Sequence, residues 1–146
     1  EELPVSFKNR AIYYVGPVDP VMGEVVGPAG PTTATRMDSF TEMMLDLGLL
    51  AMIGKAERGA DAVDVISRFK TAYLMATGGA AYLVARAIKQ AKVVAFEELG
   101  MEAIYEFTVD NMPVTVAVDA AGNNVHTLAP AHWRKRIAEE GLLEKS

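Results

Sequence analysis

The middle of the chain alternates between short β-rich runs and helical segments, and this alternation constrains the fold more than any other feature. Strand-like runs at Leu49–Ile53, Thr71–Ala76 and Lys92–Phe96 enclose two helical segments, Ala60–Phe69 and Ala80–Lys89. Strands that are separated by helices usually pair in parallel, through right-handed crossovers. The pattern therefore predicts an α/β domain with a parallel sheet.

The segments on either side extend this outline. Ala11–Val15 predicts an earlier buried strand, which a loop rich in Gly and Pro follows. Apolar residues at helical spacing predict an amphipathic helix from Arg36. Ile104–Val109 and Val114–Val118 flank a turn and predict an antiparallel hairpin after the parallel units. We expect a last helix at about Pro130–Glu140.

Composition limits the function classes. The 146 residues fit one domain, and 51% of them are apolar, which is enough for a core. The formal net charge of −5 disfavours a nucleic-acid partner, and no apolar run reaches the roughly 20 residues of a membrane span. Without cysteine, this chain cannot supply thiolate ligands to zinc or to an iron–sulfur cluster. We therefore expect a cytoplasmic domain that holds no metal itself.

The strongest candidate site lies where the Gly/Pro-rich loop meets the next helix. Thr32, Thr33 and Thr35 supply three hydroxyls there, and Arg36 supplies a planar guanidinium. Unpaired amides and the helix dipole favour an anion at a helix start, and arginine binds carboxylate or phosphate with two hydrogen bonds. Thr33 or Thr35 could instead cap the helix while Arg36 is solvated. The surplus of hydroxyls favours an anion site.

Two further strand-to-helix turns are candidates. Lys55 begins the charged turn Lys55–Gly59, and ligands of parallel sheets bind outside the carboxyl ends of the strands. Lys55 could thus face the same crevice as Arg36, although a solvated surface turn is the commoner explanation. For Gly78-Gly79, a tight backbone crossing is the commoner explanation.

Several segments together resemble the C-terminal domain, or separate β subunit, of class I iron–sulfur fumarate hydratases. They are, in chain order, GPAGPTTATRMD, MIGKAERG, YLMATGGAAYLVA and FEELGMEAIYEF. The resemblance implies a three-layer β/β/α swivelling domain, and the β half of a hydro-lyase that interconverts fumarate and L-malate. The β subunits of L-tartrate dehydratase share the GPTT and Gly-Lys segments, so that activity stays an alternative. A non-catalytic carboxylate-binding assembly module is a second alternative.

The resemblance also implies roles for individual residues. Thr32 and Lys55 match catalytic positions of the family, whereas Thr33 and Arg36 match substrate-binding positions. Thr33 is the alternative to Thr32 as the base. The family carries a Lys-Gly-Asp/Asn motif, but here Ala56 follows the lysine. This departure leaves the lysine matched and the roles of its neighbours open.

The partners follow from the same resemblance. Family members hold their [4Fe–4S] cluster on the N-terminal domain or α subunit, which agrees with the lack of cysteine here. We therefore expect the α half as a partner, a four-carbon dicarboxylate as substrate, and a homo-oligomer. The family's β domain begins with a strand and an Arg-Asp-x-x-His segment that we do not find. We expect residues 1–146 to be one domain without that N-terminal part.

Overall fold

Residues 3–140 form a four-stranded sheet and a separate two-stranded sheet, with helices between the strands. The computed structural model describes residues 3–140. The strands are β1 Ala11–Tyr13, β2 Ala51–Gly54, β3 Ala72–Met75, β4 Ile88–Ala95, β5 Ile104–Val109 and β6 Thr115–Val118. The α-helices are α1 Thr41–Asp46, α2 Ala60–Arg68, α3 Ala81–Ala87 and α4 Val125–Glu139. Shorter 3-10 helices span Ala34–Phe40, Gly78–Ala80 and Glu97–Glu102.

The predicted parallel α/β arrangement is confirmed for the first three strands. The larger sheet has the order β1-β2-β3-β6, and β2 pairs in parallel with both β1 and β3. Met52 lies at the centre, opposite Ile12 on one side and Tyr73 on the other. The carboxyl ends of the three parallel strands therefore meet at one edge of the sheet.

The antiparallel pairing that follows is present, but its partners differ from the predicted ones. β5 pairs with β4, where Phe107 lies opposite Ala91, whereas β6 joins the larger sheet and pairs with β3. The prediction that Ile104–Val109 pairs with Val114–Val118 is therefore wrong. The physical reason is that the two strands pack into different cores.

Each sheet has its own core. The main core lies between the larger sheet and the helices α1 and α2, and β6 contributes the fully buried Ala117 and Val118 to it. The second core is smaller, and Phe107 of β5 packs there with Ala29 and Ile88. Ile88 leaves the helical conformation, with a ψ of 113°, and is 2% exposed. The helix predicted to run to Lys89 therefore ends at Ala87 and gives way to a strand.

The last helix begins earlier than its predicted start at Pro130. Asn124 occupies the N-cap position, and its side-chain oxygen accepts a hydrogen bond from the His126 amide at 3.0 Å. An asparagine cap of this kind defines a helix start, so Pro130 falls in the second turn. No helix within residues 3–140 has both the length and the apolarity to cross a membrane.

Candidate functional site

The Gly/Pro-rich loop is joined to the end of β2 by backbone hydrogen bonds. Thr33 and Lys55 form a parallel bridge. The Lys55 amide donates to the Thr32 carbonyl, and the Ala34 amide donates to the Lys55 carbonyl, each at 3.0 Å. The Thr32 amide also donates to the Tyr14 carbonyl at 2.7 Å. Residues 32–34 thus extend the sheet between the ends of β1 and β2, and two of the candidate threonines lie beside the candidate lysine.

Gly54 makes this insertion sterically possible. A Cβ atom at this position would lie 3.0 Å from Cβ of Ala34, 3.1 Å from the Tyr14 ring and 3.3 Å from the Thr32 carbonyl oxygen. These separations are tighter than most contacts of a Cβ atom, so a side chain here would push its well-packed neighbours apart. The glycine before Lys55 therefore serves the close approach of the loop.

The Gly78-Gly79 turn lies next to Lys55. The Ala76 amide donates to the Gly54 carbonyl at 3.0 Å, which brings the end of β3 beside the end of β2. A Cβ on Gly78 would lie 3.6 Å from Cδ of Lys55, whereas nothing lies within 4 Å of a Cβ on Gly79. A tight backbone crossing does not explain this pair of glycines. A Cβ on Gly78 would make ordinary contact with the lysine stem, and the open space lies at Gly79.

The three threonine hydroxyls have different surroundings, and none caps the helix. Thr32 Oγ1 donates to the Tyr14 carbonyl at 3.1 Å, and Thr35 Oγ1 donates to the Glu57 carbonyl at 2.6 Å. Thr33 occupies the N-cap position of the 3-10 helix but makes no capping hydrogen bond with its side chain. The Thr33 hydroxyl therefore remains available to a ligand.

Two exposed cations stand near these hydroxyls. Lys55 directly follows β2, and Arg36 lies in the first turn of the 3-10 helix Ala34–Phe40. Among the ion pairs between residues 3–140, none involves Arg36 or Lys55. An anionic ligand at this edge of the sheet would therefore not compete with a carboxylate already bound to either cation.

Sequence reasoning missed Arg58, whose side chain is 0% exposed. Its Nε donates to Asp38 Oδ1 and its Nη2 to Thr41 Oγ1, each at 2.5 Å. The guanidinium carbon lies 5.0 Å from the centre of the Tyr73 ring. The segment Lys55–Gly59 is therefore not a solvated turn throughout. No local pattern could reveal the ion pair, because its partners lie 20 positions apart.

Asp38 also holds the start of α2. Its Oδ2 accepts a hydrogen bond from the Gly59 amide at 2.7 Å, next to the first residue of the helix. A carboxylate at a helix N-terminus interacts favourably with the helix dipole. Asp38 thus links the 3-10 helix that carries Arg36 to the turn that carries Lys55.

Ala56 has a left-handed backbone conformation, with a φ of 65°. This conformation favours glycine, since a Cβ crowds the following carbonyl oxygen. Glycine is also the residue of the resembled motif at this position. The Tyr73 hydroxyl donates to the Ala56 carbonyl at 2.9 Å and holds the turn in this shape.

Burial keeps the phenols near the site neutral. Burial raises the pKa of Tyr73 to about 12, although the nearby Arg58 guanidinium lowers it. Burial also raises the pKa of Tyr14, again against the opposing effect of Arg58. Both phenols therefore stay protonated at neutral pH and do not act as bases.

The residues present do not fit a metal cluster. Within residues 3–140, no group of three or more His, Cys, Asp and Glu side chains is placed to hold a metal ion. The whole sequence contains no cysteine. The protein groups that [4Fe–4S] clusters normally require are thus absent from this chain.

Fold and site together define an α/β domain that presents two threonines, a lysine and an arginine where parallel strands end. Residues 1–129 match the Fumarase C-terminus family, and the chain belongs to that family.

Curated relatives agree with this membership. The chain is 39% identical to the anaerobic class I fumarate hydratase of Escherichia coli K12 over 126 residues, 85% of this chain and 23% of that protein. It is 36% identical to fumarate hydratase 2 of Leishmania major over 87% of this chain and 23% of that protein. It is also 31% identical to the L(+)-tartrate dehydratase subunit beta of E. coli K12, over 84% of this chain and 64% of that subunit. The chain therefore spans about a quarter of the length of these fumarate hydratases.

Proposed function

We propose that this chain is the C-terminal, or β, half of a hydro-lyase that interconverts fumarate and L-malate. The observation that carries the proposal is the Thr33–Lys55 bridge, which gathers two threonines and a lysine at the strand ends. Family membership and the similarity to fumarate hydratases support a four-carbon dicarboxylate as the substrate class.

Arg36 and Lys55 supply the positive charge that this reaction needs. Removing a proton from the carbon next to a carboxylate moves negative charge into that carboxylate. The planar fork of Arg36 can bind a carboxylate with two hydrogen bonds, and Lys55 adds a point charge. Donors that are in place before the reaction stabilise such developing charge strongly, because they need no reorganisation.

The two threonines suit different tasks. Thr32 donates its hydroxyl proton to the Tyr14 carbonyl, so its oxygen presents lone pairs to a substrate. This orientation suits a proton acceptor, provided that a carboxylate from the partner takes up the hydroxyl proton and neighbouring cations stabilise the resulting alkoxide. The hydroxyl of Thr33 makes no capping bond and suits a donor to the substrate carboxylate. We therefore assign Thr32 and Lys55 to catalysis, and Thr33 and Arg36 to substrate binding.

The α half completes the enzyme in this proposal. A [4Fe–4S] cluster bound by that half would supply Lewis-acid chemistry at the leaving hydroxyl. This chain contributes no ligand to it and acts on the substrate carboxylates through Thr33, Arg36 and Lys55.

The test measures turnover of the complete enzyme, prepared anaerobically with its α half. We expect kcat/KM for fumarate and L-malate to exceed that for L-tartrate by at least about tenfold, which is roughly 1.4 kcal/mol of discrimination. A preference for L-tartrate would favour the second candidate, a tartrate dehydratase β subunit. The similarity covers 64% of the E. coli tartrate dehydratase subunit beta, compared with 23% of the E. coli fumarate hydratase. Binding of dicarboxylate without turnover would support a non-catalytic module.

A further inference from the structure

We propose that Arg58 and Asp38 are positioning residues, whose buried ion pair sets the placement of Lys55 relative to Arg36. The inference rests on the proposed function, since it takes these two cations as the substrate clamp. Neither Arg58 nor Asp38 needs to touch the substrate in this role.

Both cations lie close in sequence to the members of the ion pair. Arg36 lies two residues before Asp38, and Lys55 lies three residues before Arg58. The pair joins Nε of Arg58 to Oδ1 of Asp38 at 2.5 Å, and the Gly59 amide donates to the same carboxylate at 2.7 Å. Each cation is therefore only two or three residues along the backbone from one common anchor, the buried ion pair.

Both members of the ion pair are largely buried. The Arg58 side chain is 0% exposed and that of Asp38 is 20% exposed, so both charges lose much of their hydration. A buried ion pair is weak evidence for stability, because well-packed apolar residues often replace one without loss. Unlike an apolar side chain, a guanidinium can hydrogen-bond several neighbours at once. Its Nη2 reaches Thr41 and its Nη1 lies 3.5 Å from Met52 Sδ, which fixes the orientation of the whole group.

The backbone is strained next to Lys55. Ala56 holds a left-handed φ of 65°, which persists only where the surroundings enforce it. The Tyr73 hydroxyl bonds the Ala56 carbonyl at 2.9 Å, and the same Tyr73 ring packs against the Arg58 guanidinium. Thr35 bonds the next carbonyl, that of Glu57, at 2.6 Å. The buried pair thus belongs to the set of contacts that hold the lysine turn in shape.

A displacement of about 1 Å in a catalytic group can reduce the rate by about 100-fold. The test uses the complete enzyme and compares Arg58→Met, Arg58→Lys, Asp38→Asn and the double variant Arg58→Met/Asp38→Asn. Ile66→Ala is the matched control, because Ile66 is a buried residue of the main core that lies outside the proposed site. Each variant is assayed for Tm, kcat and KM at a temperature where it is folded.

We expect each single substitution to lower kcat by about 10- to 100-fold, with a smaller change in KM. The double variant should regain most of the lost Tm, because neither charge is left unpaired, while kcat stays low. Ile66→Ala should lower Tm and leave kcat within about twofold. A double variant whose kcat recovers together with Tm would show that the pair is merely structural. If Arg58→Met or Asp38→Asn does not fold, the double variant decides, since it leaves no charge unpaired and a folded double variant with unchanged kcat overturns the proposal.

Arg36→Met and Lys55→Met, measured alongside, separate this inference from the proposed function. If both leave the kinetics unchanged, the proposed clamp is wrong. If both lower kcat while the Arg58 and Asp38 variants do not, only the positioning role is wrong.

Discussion

Ala56 shows the clearest conflict between residue type and backbone at the site. Its φ of 65° costs an alanine roughly 1–2 kcal/mol, and a glycine none of that. We predict that Ala56→Gly raises the free energy of unfolding by about 1 kcal/mol, the relief of strain being offset in part by glycine's greater unfolded-state entropy. Urea unfolding of the chain measures the change. Asn9→Gly is the control, because Asn9 has a similar φ of 61° but asparagine tolerates this conformation. A loss of stability in Ala56→Gly would contradict the prediction.

Arg36 and Lys55 should act on the same developing charge and therefore should not behave independently. In the complete enzyme, we predict that Lys55→Met costs about 2–4 kcal/mol of transition-state stabilisation. The double variant with Arg36→Met should cost less than the sum of the two single losses. Measured kcat/KM values give these energies. Glu57→Ala is the control, because it keeps the backbone carbonyl that accepts the hydrogen bond from Thr35. Strictly additive losses in the Arg36 and Lys55 variants would show that the two cations serve separate tasks.

Part of this arrangement was predictable residue by residue. The sequence places Lys55 at a strand end and Thr32 and Thr33 before a helix, and parallel pairing brings such positions to one edge. Three hydroxyls in one segment indicate more than helix capping, but only the structure shows that their hydrogen bonds differ. Arg58 was not predictable, because its burial depends on Asp38 and Thr41 arriving from a distant segment.

At the scale of elements, local patterns predicted the positions of the strands and helices better than they predicted which strands pair. Hydrophobic periodicity and turn residues locate β2, α2 and β3 to within a few residues. The strands after α3 could not be paired in the same way, since turn chemistry favours adjacent strands. Which core a strand joins is decided by burial of residues such as Phe107 and Val118, and this information is distributed over the whole fold.

The turn between β6 and α4 allows a prediction about protonation. Hydrogen bonds from the Asn123 side chain and amide, and from the Ala121 amide, hold the pKa of Asp119 below its usual value of 3.8. The folded state therefore gains stability from this carboxylate above the unfolded pKa, and loses it as pH falls through the lower folded pKa. We predict that Asn123→Ala raises the pKa of Asp119 toward 3.8.

An NMR titration of the Asp119 carboxyl carbon measures that change. Gln90→Ala, which removes an acceptor for Thr108 on the two-stranded sheet, is the control and should leave the Asp119 titration unchanged. The same pKa in Asn123→Ala as in the unsubstituted chain would mean that the backbone amides alone set it.

For the whole molecule, we predict that the isolated chain does not hydrate fumarate. The site offers charge and hydroxyls, but the described residues include no group placed to hold a metal that would activate the attacking water, and the sequence has no cysteine. An anaerobic assay of the purified chain should show no consumption of fumarate, and addition of the α half should restore it. Turnover by the isolated chain would require a different mechanism.

The bridge between Thr33 and Lys55 has a consequence for how a ligand is received. Since residues 32–34 hydrogen-bond to the ends of β1 and β2, the two segments that we propose to face the ligand are already ordered in the folded chain. Association then loses little conformational entropy at these positions, which favours affinity without additional contacts. The same backbone hydrogen bonds constrain the length of both segments, because an insertion in either segment would shift the other. New ligand preferences would therefore arise more readily by exchanging side chains on this frame than by altering the length of its loops.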